Sequence, residues 1–134
     1  MTTPYELIGG EPALRALTTR FYRYMDTLPE ARAIRAMHPD DLSGSTEKLF
    51  MFLSGWLGGP SLYIERYGHP RLRARHLPFP IASTEAEAWM LCMRRALADT
   101  VADETLRGQL ERAFAGIADH MRNRPDRPPS APEA

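Results

Sequence analysis

Gly68-His69-Pro70-Arg71-Leu72-Arg73-Ala74-Arg75-His76-Leu77-Pro78-Phe79-Pro80-Ile81 is the stretch on which the fold turns. A glycine and three prolines deny it a continuous helix, although Leu72 to His76 has room for a turn or two, as does Ser61 to Tyr67 before it. Three alternating arginines lead into His76, and a stiff, mostly apolar segment leads out. A long, partly irregular connection of this kind, rich in cations, is a common seat of function.

Helical periodicity stands on both sides of it. Upstream, Leu42, Ser45, Leu49, Phe52, Leu53 and Trp56 share one face, and Gly58-Gly59-Pro60 punctuates the end of that helix. Further back, Gly9-Gly10-Glu11-Pro12 opens a helix striped by Leu14, Leu17, Phe21, Tyr24 and Leu28. A short helical piece over Glu30 to Met37 and a turn at His38-Pro39-Asp40-Asp41 join the two. Downstream, Thr84 and Glu87 have the form of a capping box, followed by an interior face of Trp89, Met93, Ala96, Leu97 and Thr100. A last helix carries Leu106, Leu110, Ala113, Phe114, Ile117 and Met121. No segment alternates with period two, so the expected fold is all-α. From Arg122 the composition turns to Arg, Asn, Asp, Ser and Pro, which predicts a domain over 1–121 and a disordered, proline-rich tail over 122–134.

With 134 residues, 43% hydrophobic and 25% charged, the chain has the size and composition of one folded domain. Its 17 basic and 17 acidic residues balance, so there is no long-range field to draw nucleic acid or an anionic membrane. The single cysteine, Cys92, excludes an intramolecular disulfide and a multi-thiolate metal site, and reads as a small buried apolar group. Neither a signal peptide nor a run of about 20 apolar residues is present, and a reducing cytoplasm is the expected setting.

Four histidines, His38, His69, His76 and His120, are the candidates for proton transfer or metal ligation. None pairs at the spacing of a zinc helix, the carboxylates do not form the two Glu-x-x-His units of a di-iron bundle, and no glycine-rich loop fits a phosphate cradle. His69 and His120 carry no sign of a role. His76 differs through its neighbours: cations on one side and an apolar wall on the other suit an iron ligand for a cofactor that is apolar in its body and carboxylate-bearing at its edge. Haem has that shape and charge. The plainer alternative is a solvated or carbonyl-bonded histidine among solubilising arginines.

The run from Gly68 to Phe79, together with Phe21-Tyr22, Gly58-Gly59-Pro60 and the Trp89 segment, resembles the group II truncated haemoglobins of bacteria and plants, in one register from about residue 5 to 121. The resemblance implies a shortened globin, two helices packed over two around haem b, with the proximal helix reduced largely to a loop. It makes His76 the iron ligand. Tyr22, Trp89 and His38 fall at distal positions, Ser45 at the distal gate, and Leu49 one turn along from it on the same face. Lys48 and Arg75 fall where the family places haem-propionate partners, and Phe79, Ile81 and Met93 where it places apolar contacts. Taken alone, Tyr22 lies one position off the apolar stripe, Trp89 and Met93 look like core, and Lys48 looks like a surface lysine.

The function so implied is binding of dioxygen and other diatomic ligands. Tyr22, Trp89 and His38 are expected as three distal donors, and Ser45 leaves the gate without a bulky histidine. Slow release follows, which suits sensing or scavenging and makes bulk oxygen transport a poor task. Nitric oxide dioxygenation or peroxidase-like turnover would additionally need a separate electron-donating reductase, and a cofactor-free helical interaction module is the third class. Monomer and homodimer are equally compatible with the sequence.

Overall fold

Proline and glycine mark most helix boundaries in the computed structural model, which describes residues 2–126. Among them the elements are α1 (Pro4–Ile8), α2 (Gly10–Thr27), a 3-10 turn (Pro29–Ala31), α3 (Arg32–Arg35), α4 (Ser43–Trp56), α5 (Leu62–Tyr67), α6 (Leu72–His76), α7 (Ser83–Thr100) and α8 (Glu104–His120). No strand occurs among the described residues. The all-α expectation holds, and the broken connection carries two short helices, α5 and α6, where one or two turns were expected.

α2 packs against both α4 and α7, and α7 against α8, so two helices lie over two. Leu14, Leu17 and Phe21 of α2 are buried as the stripe requires, but Thr18, Tyr22 and Met25 complete the face in place of Tyr24 and Leu28. The helix has neighbours on two sides, so its buried arc is wider than a single three-four stripe. Tyr24 is half-buried at the rim, where its hydroxyl donates to Asp99 of α7.

In α4 the buried residues are Phe50, Met51, Leu53 and Ser54, whereas Leu49 and Phe52 are half-buried and Trp56 is exposed. The expected apolar face is therefore only partly covered by protein. The end of α4 is set by Gly58 and Gly59. Gly58 sits at φ 92°, and a Cβ on Gly59 would lie 2.6 Å from the Tyr5 ring. α1 thus docks by close backbone approach, with the Tyr5 N–H donating to Leu57 O at 2.9 Å.

The N-cap of α7 is Ala82, two residues before the expected Thr84, and Glu85 in place of Glu87 accepts from the Ala82 N–H at 2.8 Å. The N–H and hydroxyl of Ser83 donate to Asp126 at 3.0 and 2.6 Å. α8 is capped by Asp103, which accepts from the Leu106 N–H at 3.1 Å, and buries Leu106, Leu110, Phe114 and Ala118, while Ala113 faces out. The chain beyond α8 differs from the expected tail. Residues 122–126 fold back on the start of α7 and the loop before it, because Asn123 and Asp126 are polar groups with backbone partners in reach. The remaining residues, 127–134, lie outside the described residues.

Candidate functional site

α6 is short because Pro70 precedes it and Pro78 follows it. It starts from Arg71 in the left-handed region at φ 47°, whose N–H donates to His69 Nδ1 at 3.1 Å. His69 therefore has a structural role that its sequence context did not disclose. Arg75 Nε donates to Pro70 O at 2.8 Å and closes the turn. His76 ends the helix with Nδ1 2.6 Å from Leu72 O. A carbonyl only accepts, so Nδ1 carries the proton and Nε2 presents a lone pair, the tautomer that ligates a metal.

Tyr22 and His38 meet edge-on with ring centroids 5.7 Å apart, and Phe21 bridges Tyr22 to Trp89 at 4.9 and 5.1 Å. The sequence-predicted distal residues are thus gathered by one aromatic cluster built on α2. Burial alone pushes the Tyr22 phenol well above its ordinary range, so the hydroxyl is a neutral donor. His38 requires a correction. Its Nδ1 lies 2.8 Å from Ile34 O and donates to it, which makes Nε2 of the neutral ring an acceptor. Burial lowers its pKa despite the Ile34 bond, with Arg35 and then His76 adding to the fall. The neutral ring is favoured, and His38 donates into the cleft only when protonated.

Ser45 and Leu49 are half-buried on α4, one turn apart. Lys48 Nζ lies 5.7 Å from the Tyr67 ring, and the Arg75 guanidinium 5.9 Å from the Tyr63 ring, while Tyr63 and Tyr67 touch at 4.9 Å. The two cations therefore lie over one pair of adjacent tyrosine rings. Neither forms an ion pair among the described residues. Phe79 is exposed, Ile81 half-buried, and Met93 wholly buried. A cavity of about 180 Å³ opens between Phe52 and Trp56 of α4 and Tyr63, Ile64 and Pro70 of the connection.

These features fit haem. No cluster of three or more His, Cys, Asp or Glu gathers among the described residues, so a metal at His76 needs its remaining ligands from the cofactor itself. A porphyrin would bring four nitrogens and an apolar body, and its two carboxylates call for cations of the kind that Lys48 and Arg75 offer. Asn123, which bonds to the loop after His76, was missed: it follows the last apolar position and its context offers no signal.

A family model for bacterial-like globins matches residues 3–123. The chain is 41% identical over 120 residues to the group 2 truncated hemoglobin YjbI of Bacillus subtilis, covering 90% of this chain and 88% of that one. The solved group II 2-on-2 hemoglobin of Agrobacterium tumefaciens superposes with a TM-score of 0.89 at 48% identity, covering 94% of this chain and 97% of that one. A structure described as a truncated oxygen-avid haemoglobin from Bacillus subtilis matches with a TM-score of 0.83 at 40% identity, over 91% and 100% of the two chains. Haem-based ligand binding replaces the cofactor-free interaction module among the readings of the sequence. The chain belongs to the bacterial-like globins, as a group II truncated haemoglobin whose cofactor is haem.

Proposed function

We propose that this globin binds dioxygen and related diatomic ligands with His76 as the protein ligand to the iron, and that Tyr22 and Trp89 slow the release of dioxygen. Haem supplies the iron at which a diatomic molecule is held. The observation that carries the reading is the His76 tautomer: the 2.6 Å bond to Leu72 O fixes the ring and leaves Nε2 as the ligating atom. Lys48 and Arg75 would hold the propionates, with Leu49, Phe79, Ile81 and Met93 supplying apolar wall. On the distal side, the neutral Tyr22 hydroxyl and Trp89 indole N–H would donate to a diatomic ligand that carries partial negative charge. The small Ser45 side chain stands at the gate. The oxygen-avid relative supports the same sense of retention.

Retention suits sensing or scavenging. Nitric oxide dioxygenation or peroxidase-like turnover is the second reading, favoured by the same donors, and would require a reductase outside this chain. Cytoplasmic residence is part of the proposal, since Cys92 is a free, buried thiol; no helix among the described residues is long and apolar enough to cross a membrane.

Haem reconstitution of His76→Ala tests the assignment. The variant loses stable haem binding, whereas His69→Ala, which removes only the acceptor for the Arg71 N–H, keeps the haem. A normal five-coordinate ferrous spectrum in His76→Ala without added imidazole overturns it. Sustained nitric oxide consumption with an added reductase, measured against the reductase alone, decides the second reading.

A further inference from the structure

Every polar backbone group of a short loop needs a partner, and the loop after His76 is poor in its own. Pro78 and Pro80 contribute no N–H, so beyond the Phe79 N–H, which donates to His76 O at 3.0 Å, few internal donors remain for the carbonyls of residues 76–81. One residue from the far end of the chain meets most of the need. Asn123 Nδ2 donates to His76 O at 3.1 Å and to Phe79 O at 2.9 Å, while its Oδ1 accepts from the Ile81 N–H at 3.0 Å. The backbone N–H groups of Asn123 and Arg124 both donate to Ile81 O, at 2.8 and 3.0 Å. Two carbonyls and one N–H around the side chain settle its orientation, because a flipped amide would set oxygen against oxygen.

We propose that Asn123 is a positioning residue for His76, fixing the backbone of the iron ligand from outside while Leu72 O fixes its ring from within. The two bonds act on opposite ends of the same residue. With the carbonyl of His76 shared by Asn123 Nδ2 and the Phe79 N–H, and the imidazole held by Leu72 O, neither the peptide plane nor the ring is free to turn alone, and Asn123 ties that turn to the far end of the chain. Asn123 is itself anchored. Arg122 pairs with Asp119 at 3.1 Å and with Asp126 at 3.5 Å, and Asp126 accepts from the N–H and hydroxyl of Ser83 at the start of α7. The segment after α8 thus ties the proximal loop to α7 and α8, the helices that carry Trp89 and Phe114.

The inference rests on His76 as the iron ligand, and its test separates the two. In the reconstituted full chain, the iron–histidine stretching band in the ferrous resonance Raman spectrum reads the direction and strain of Nε2. Hemin transfer to excess apomyoglobin reads its hold on the cofactor. Asn123→Ala shifts or broadens the band and speeds hemin transfer about tenfold. Asn123→Asp, which places a carboxylate against two carbonyls, does so more strongly. Asp126→Ala, which cuts the tie to Ser83 and leaves the Asn123 bonds, lowers thermal stability but leaves the band in place. Asn123→Ser keeps one donor and serves, with the same outcomes, where the alanine variant does not fold. Amide exchange at Ile81 in the haem-free chain confirms that the clamp has opened. An open clamp with band and hemin transfer unchanged overturns the proposal, as do equal effects from Asn123→Ala and Asp126→Ala. His76→Ala in parallel abolishes the band; a surviving band overturns the ligand assignment instead.

Discussion

His38 and His76 are held by the same device: each bonds Nδ1 to the carbonyl four residues back, Ile34 O at 2.8 Å and Leu72 O at 2.6 Å. Both rings therefore turn Nε2 outward as a lone pair. At His76 this leaves the atom that the proposed function assigns to the iron. At His38 it makes an acceptor, able to take a hydrogen bond from water or a neighbouring hydroxyl.

The sign of the His38 effect on stability follows from its environment. Burial first, then Arg35 and His76, place its folded pKa below the ordinary 6.5, so the unfolded chain binds the proton more readily. Stability of the haem-free chain is full above that value and falls as pH drops from it through the lower folded value. The urea midpoint should decline between pH 7 and 5, and His38→Phe should flatten that part of the decline. An unchanged difference between the two proteins across the window would exclude His38 as its source.

Gly59 allows α1 to dock. A Cβ there would meet three atoms of the Tyr5 ring at 2.6 to 2.8 Å, so Gly59→Ala should cost about 1–3 kcal/mol by overpacking. Tyr5→Ala removes the obstacle, and the double variant should lose less than the two singles combined. Urea unfolding of the four proteins checks this; strict additivity would mean that α1 moves aside freely.

Cys92 is fully buried in α7, and burial pushes its thiol up to about 11. Ionisation alone then slows its reaction with a disulfide reagent at pH 8 by about 100-fold relative to a free cysteine. Cys92→Ala should cost about 1 kcal/mol for the lost sulfur contacts and leave ligand kinetics unchanged. Fast labelling of the folded protein would show that the α7 face opens.

The architecture was legible where local chemistry and packing agree. Gly9-Gly10, Gly58-Gly59 and the prolines around α6 fix helix limits by backbone geometry alone, and those limits stand within a residue or two. The stripe of α4 was legible as apolar but misled about burial: Trp56 and Phe52 face a cleft, and periodicity does not say whether protein or cofactor covers a face. Tyr22 was legible only through family resemblance, since its burial comes from the second neighbour of α2. The helix cap at Glu85 and the clamp at Asn123 depend on partners 3 and 42 to 47 residues away. The first is a matter of a two-residue register; the second is invisible until the chain has folded.

The distal pocket puts the proposed function to its strongest test. Tyr22→Phe keeps the ring and its contacts with Phe21 and His38 but removes the hydroxyl, and Trp89→Phe keeps an aromatic wall but removes the indole N–H. Each should speed dioxygen release by about ten- to a hundredfold, equivalent to about 1.4–2.8 kcal/mol of lost stabilisation. Carbon monoxide carries less charge on its outer atom and should respond far less. The double variant should depart from additivity, because the remaining donor and water can rearrange around the same ligand. Stopped-flow release rates for both gases in the two singles and the double decide the matter. Unchanged dioxygen release in both singles would mean that neither side chain reaches the ligand. Equal changes for the two gases would assign these residues to steric gating, with Tyr22 blocking the path that its hydroxyl was proposed to guard.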